Sequence, residues 1–117
     1  MAAKRFRKGI SVNERAVQIW QILVCRAMNK QLMTYKELSK ILGFGGPGVL
    51  GQFLGPIMWY CDKHSIPPLT TIVVNEGKGR SGIGLTTTKK QGADRIKVYK
   101  FNWFRVVPPS ADDFSNA

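Results

Sequence analysis

The sequence predicts a small α+β domain, three helices followed by a β-hairpin and a further strand. Three observations predict it: apolar residues recur at helical spacing in three successive segments, β-branched runs follow Pro67-Pro68, and a glycine-rich stretch divides those runs. The chain has 117 residues, about one average domain. It divides into a basic flexible arm at 1–10, a single domain at 11–107 and a flexible tail at 108–117.

The arm sets Lys4, Arg5, Arg7 and Lys8 around Phe6 and has no period. Ser11 and Asn13 are helix-start residues and Glu14 puts negative charge in a first turn. Val17, Ile19, Trp20, Leu23, Val24, Ala27 and Met28 then recur as one face of a first helix, about Asn13 to Met28. Thr34 and Glu37 have the spacing of a capping box and open a second helix through Leu38, Ile41 and Leu42, closed by Gly43. After the turn Phe44-Gly45-Gly46-Pro47-Gly48, a third helix runs from Val49 to His64, with Leu50, Phe53, Leu54, Ile57, Met58 and Cys61 facing inward. Pro56 inside it removes a backbone donor and predicts a kink, or a break after Gly55.

Leu69 to Asn75 is rich in β-branched residues and predicts a strand. Glu76 to Gly82 reads as a glycine-rich hairpin tip, Ile83-Gly84-Leu85 as its return, and Thr86 to Arg95 as a loop. Ile96 to Phe101 alternates with period two and predicts a further strand with one cationic face. Trp103, Phe104, Val106 and Val107 are expected to close the core, and Ser110 to Ala117 to form a frayed acidic tail. This element order is that of a winged helix-turn-helix, with 76–82 as the wing.

Charge narrows the function classes. Eighteen basic against seven acidic residues give a net +11, while 44% hydrophobic and 21% charged residues are ordinary for a folded protein, so the charge belongs to a fold and calls for an anionic partner. No apolar run reaches the ~18 residues of a membrane span, and the basic start lacks the apolar stretch of an export signal. Cys25 and Cys61 are too few for a disulfide framework and both fall in apolar helical patterns. The setting expected is reducing and cytoplasmic, associated with the nucleoid if the partner is DNA.

Several segments carry a family resemblance. Val17-Gln18-Ile19-Trp20-Gln21-Ile22-Leu23, Met33-Thr34-Tyr35-Lys36-Glu37-Leu38-Ser39, Gln52-Phe53-Leu54-Gly55, Ile66-Pro67-Pro68-Leu69 and Val73-Val74 resemble, in order, the winged-helix DNA-binding domain of alkylguanine-DNA alkyltransferases and alkyltransferase-like proteins. The resemblance covers roughly 17–84. It implies a winged fold on DNA, with Tyr35 against the backbone. Gln52 stands where that family carries its intercalating arginine, and the P-C-H-R motif holding the acceptor cysteine is absent. Alkyl transfer is therefore not implied, and the chain is not expected to be an enzyme.

Lys78, Arg80, Lys89, Lys90, Arg95, Lys97 and Lys100 face only Asp94 between residues 78 and 100, a distribution suited to phosphates because neutralising them releases counterions. The DNA contacts expected are Lys4, Arg5, Arg7, Lys8, Tyr35, Lys36, Lys40, Gln52, Lys78, Arg80, Lys89, Lys90 and Lys97. The third helix has no cation between Val49 and Asp62, so sequence preference should be modest. Cys61 and His64, three residues apart, are the sole pairing that suggests a nucleophile or half a metal site, and no further ligands complete it. No cofactor and no small-molecule substrate is implied. The foremost reading is non-catalytic binding to duplex DNA. The alternative is a protein-interaction module, an inhibitor or adaptor that captures an acidic surface of a nucleic-acid enzyme, with Trp59, Tyr60 or Trp103 as anchors.

Overall fold

The computed structural model describes residues 11–75 and 88–116. Among them the chain is predominantly helical: α1 (Val12–Met28), β1 (Met33–Thr34), α2 (Tyr35–Leu42), α3 (Gly51–Lys63), β2 (Val73–Val74), α4 (Thr88–Lys100) and α5 (Ala111–Ser115), with 3-10 turns at Pro47–Val49, Leu69–Ile72 and Trp103–Arg105. The arm 1–10, the hairpin tip with Lys78 and Arg80, and the return strand Ile83–Leu85 lie outside the described residues.

The first two helices form where the sequence places them. Ser11 caps α1, its hydroxyl accepting from the Glu14 N–H at 3.0 Å while the Glu14 carboxylate accepts from the Ser11 N–H at 2.9 Å. Ala16, Ile19, Trp20, Leu23 and Ala27 bury one face of α1, each large apolar side chain contributing about 1.5–3 kcal/mol. Thr34 and Glu37 close the same reciprocal box on α2, both bonds at 3.0 Å. At the other end Gly43 takes the left-handed conformation, φ +78°, and the Phe44 N–H donates to the Ser39 carbonyl at 2.9 Å. Arg26 ties the two helices together, donating to the Leu32 carbonyl at 3.0 Å and standing 3.5 Å from the Glu37 carboxylate.

Downstream the fold departs from the winged expectation. The β-branched run 69–75 is mainly a buried 3-10 turn, Leu69–Ile72, closed by the Thr71 N–H and hydroxyl, both donating to the Pro68 carbonyl at 3.1 and 3.0 Å. Pro68 lacks a donor for a ladder, and these local bonds override strand propensity. Only Val73–Val74 is extended, and it pairs in parallel with β1, Met33 opposite Val73 and Thr34 opposite Val74. No β-hairpin wing is found among the described residues.

Of the predicted loop 86–95 and strand 96–101, Thr88–Lys100 form one helix, α4. In a strand Ile96 and Val98 would share a face. Here Ile96 is 56% exposed and Val98 fully buried, as the 100° step of a helix requires. A six-residue alternation was too short to separate the two periods.

Two further expectations are revised. The break after Gly55, one of the two outcomes expected at Pro56, is not found: α3 continues through Pro56 as one helix, although Pro56 has no N–H to offer the Gln52 carbonyl. The segment expected to fray contains α5, which a third reciprocal box, Ser110 with Asp113, caps. Phe114 on α5 is buried against Trp20 and Tyr60, with ring centroids 6.1 and 5.6 Å away. Trp103 also joins Trp20, edge to face at 5.9 Å, so α1, α3, α5 and the 103–105 turn meet in one aromatic cluster. Of the four residues expected to close the core, Trp103 is buried and Val106 packs against it, whereas Phe104 and Val107 are outside.

Candidate nucleic-acid interface

Helix α2 turns Tyr35, Leu38 and Ser39 inward, which leaves Lys36 and Lys40, one turn apart, exposed. Tyr35 keeps 7% of its surface and belongs to the core, so it presents an edge at most. Between the two lysines Glu37 is committed to the helix start. The Thr34 N–H holds its carboxyl below the usual carboxylate range; burial opposes this less strongly, and the Arg26 charge adds a lesser lowering. Gln52 is exposed in the first turn of α3, which Leu50 leaves without a side-chain cap.

Helix α4 presents Lys97 and Lys100 outward, while Asp94 and Val98 point in. Lys89 and Lys90 lie on its first turn. Arg95 is turned from the surface. Its Nε donates to the Thr71 carbonyl at 2.7 Å, fixing α4 on the 69–72 turn, and its buried Nη2 has no partner among the described residues. The outer face of α4 runs into Phe104 and Arg105, both exposed. Sequence reasoning missed these two residues as surface features. The available signal was Asn102, whose side chain accepts from the Phe104 N–H at 3.2 Å and starts the turn that throws Phe104 outward.

Acids balance little of this charge. Glu14, Glu37 and Asp113 are each bound to a helix cap. Among the described residues the ion pair within 4 Å is Arg26 with Glu37. Lys36, Lys40, Lys97 and Lys100 are left facing water. Of the other expected contacts, Lys4, Arg5, Arg7, Lys8, Lys78 and Arg80 lie outside the described residues.

A shallow groove between α1 and α2 is lined by Arg15, Gln18, Ile22, Cys25, Arg26 and Ile41, with Arg15 also lying over the Phe44 ring at 5.1 Å. It mixes an apolar floor with a cationic rim.

The pair Cys61 and His64 does not assemble a nucleophile. Burial pushes the Cys61 thiol up to about 12, against a smaller opposing effect of the Leu69 N–H, so thiolate is negligible near neutrality. His64 is exposed and its ring packs on Tyr60, 4.2 Å between centroids. No group of three or more metal-ligating side chains occurs among the described residues, and no described helix is long and apolar enough to cross a membrane. Of the anchors considered for a protein partner, Trp103 and Tyr60 are taken up by the aromatic cluster, and Trp59 is exposed.

No family model, curated protein or solved structure matches the chain.

Proposed function

We propose that the protein binds nucleic acid, DNA foremost, through its phosphate backbone and without catalysis. The observation that carries this reading is the segregation of charge: the described acids that cap helices are used internally, while Lys36 and Lys40 on α2 and Lys97 and Lys100 on α4 face solvent without acidic partners among the described residues. Holding cations unpaired on a chain of net +11 costs self-repulsion, which polyanion binding relieves. The charged helix α4 replaces the expected wing as the described element that meets phosphates, and Gln52 is the residue available to touch a base edge on α3. A cytoplasmic, nucleoid-associated setting belongs to the same reading, and the free, exposed thiol of Cys25 suits a reducing compartment.

Fluorescence anisotropy with a labelled duplex of arbitrary sequence, titrated from about 50 to 200 mM salt, tests it. If ~6–10 phosphates are neutralised, affinity falls roughly a thousandfold or more across that range. Lys97→Ala with Lys100→Ala should lower the magnitude of the log–log salt slope by about two and leave the fold intact. Undetectable binding at the lowest salt would overturn the proposal.

The α1–α2 groove favours one second reading, an adaptor or inhibitor that takes an acidic protein segment between Arg15 and Arg26 over Ile41. Ile41→Ala, which leaves every charge in place, should weaken capture of such a partner and leave duplex affinity nearly unchanged.

A further inference from the structure

The surface running from the last turn of α4 into the following 3-10 turn combines two features that are separate elsewhere among the described residues. The first is an aromatic ring held in water: Phe104 is 84% exposed, and Val107, three residues on, is 82% exposed. That exposure is built rather than loose. On one side of Phe104, Trp103 is 3% exposed, its indole N–H donates to the Val98 carbonyl at 2.8 Å, and its ring packs on Phe101 at 4.6 Å and Trp20 at 5.9 Å. On the other side the Val106 N–H returns to the Trp103 carbonyl at 3.2 Å, and the Arg105 N–H to the Asn102 carbonyl at 3.1 Å. With its neighbours fixed this way, the Phe104 backbone is clamped and its side chain has no core to enter.

The second feature is charge of one sign. From Arg95 to Ala111 the sequence contains no acid, and Lys97, Lys100 and Arg105 are all exposed. An exposed apolar ring on a segment whose exposed charges are all cationic suits a ligand that brings flat π-faces and negative charge together. A duplex buries its base faces in its own stack and offers mainly phosphates and groove edges. A single strand offers both.

We infer that Phe104 is a stacking platform for an unpaired base of a single-stranded nucleic acid whose phosphates lie on Lys97, Lys100 and Arg105. This deepens the nucleic-acid reading proposed above and rests on it. The platform is sequence-tolerant, since every base has a face to stack, and it does not by itself discriminate deoxyribose from ribose.

The test uses the full chain and measures anisotropy with labelled dT12, labelled rU12 and a labelled 12-bp duplex at one low salt concentration. Phe104→Ala should weaken dT12 binding about tenfold. It should change duplex binding less than twofold and leave the thermal midpoint unmoved. Phe104→Trp should retain the affinity, whereas Phe104→Leu, which keeps apolar bulk without a π-face, should behave like the alanine variant. Equal effects on dT12 and rU12 place the chemistry in unpaired pyrimidines generally; an effect on one alone assigns the platform to that strand type. If both oligonucleotides and the duplex bind with strong salt dependence but Phe104→Ala is indifferent, the stacking site is overturned and the nucleic-acid reading stands. If none of the three probes binds, both fall. A comparable loss on the duplex overturns the single-strand assignment in favour of a wedge between base pairs. An equal loss with a labelled poly-glutamate peptide assigns the surface to an acidic protein and overturns it as well.

Discussion

Helices α2 and α4 each hold a pair of lysines toward solvent, Lys36 with Lys40 and Lys97 with Lys100, but they hold them by different means. α2 is closed locally at both ends, by the Thr34–Glu37 box and the left-handed Gly43. α4 lacks an acid in its first turn and carries Gly92 within, and what fixes it comes from elsewhere in the chain: Arg95 reaching the Thr71 carbonyl, Val98 buried in the core, and Trp103 bonding back to the Val98 carbonyl. A locally closed helix keeps its surface charges in place largely by itself. A helix fixed from its side keeps them only while the tertiary contacts last, so the charge on α4 is coupled to the core and that on α2 much less so.

The largest test of this contrast is Trp103→Ala. It removes an indole from the aromatic cluster together with its bond to Val98, and should cost about 3–5 kcal/mol, a large part of a domain's stability. A urea titration should show the lower midpoint, and amide exchange should accelerate on α4 before α2. Equal acceleration on both helices would break the distinction. Arg95→Met is next. It leaves the Thr71 carbonyl without its charged donor and should cost roughly 1.5–3 kcal/mol, read from the same urea transition. A change within error would mean that α4 rests on Val98 and Trp103 alone.

On the α2 side, Thr34→Ala should cost about 1 kcal/mol through the lost cap, with the loss confined in exchange experiments to the first turn of α2. The smallest effect is electrostatic. The folded-state pKa of Glu37 is depressed below its ordinary value of 4.5, so its contribution is present above that pH and disappears as pH falls through the depressed value. The stability difference between wild type and Glu37→Gln should therefore be flat from pH 7 to about 5 and close at lower pH. A difference that widened on acidification would contradict the role given to the Thr34 N–H and Arg26.

The same contrast explains which elements were legible. α1 and α2 carry their instructions in adjacent residues, Ser11 with Glu14, Thr34 with Glu37, and Gly43, so their ends could be read from the chain. α5 carried an equivalent signal in Ser110 and Asp113, overshadowed by its short length and terminal position. The 69–72 turn and α4 were not legible because their conformations are decided across the chain: Arg95 answers Thr71, and β2 pairs with Met33–Thr34 and not with a neighbouring strand. For the candidate site, the number of cations was plain while their grouping was not. The sequence alone puts Lys97 on a strand face and the structure puts it on a helix face, while Arg95, basic like its neighbours in sequence, turns inward to Thr71. The sequence alone groups Phe104 with Trp103, Val106 and Val107 as apolar residues that close the core. Only the turn started by Asn102 separates a buried ring from an exposed one.

The seat of Phe114 in the aromatic cluster bears on how the molecule is made. Synthesis runs from the N-terminus, so Trp20 and Tyr60 emerge long before the residue that covers them. A nascent chain that has already wound α1 and α3 therefore waits with an open aromatic face until α5 leaves the ribosome. During that interval the chain is most vulnerable to self-association and to proteases.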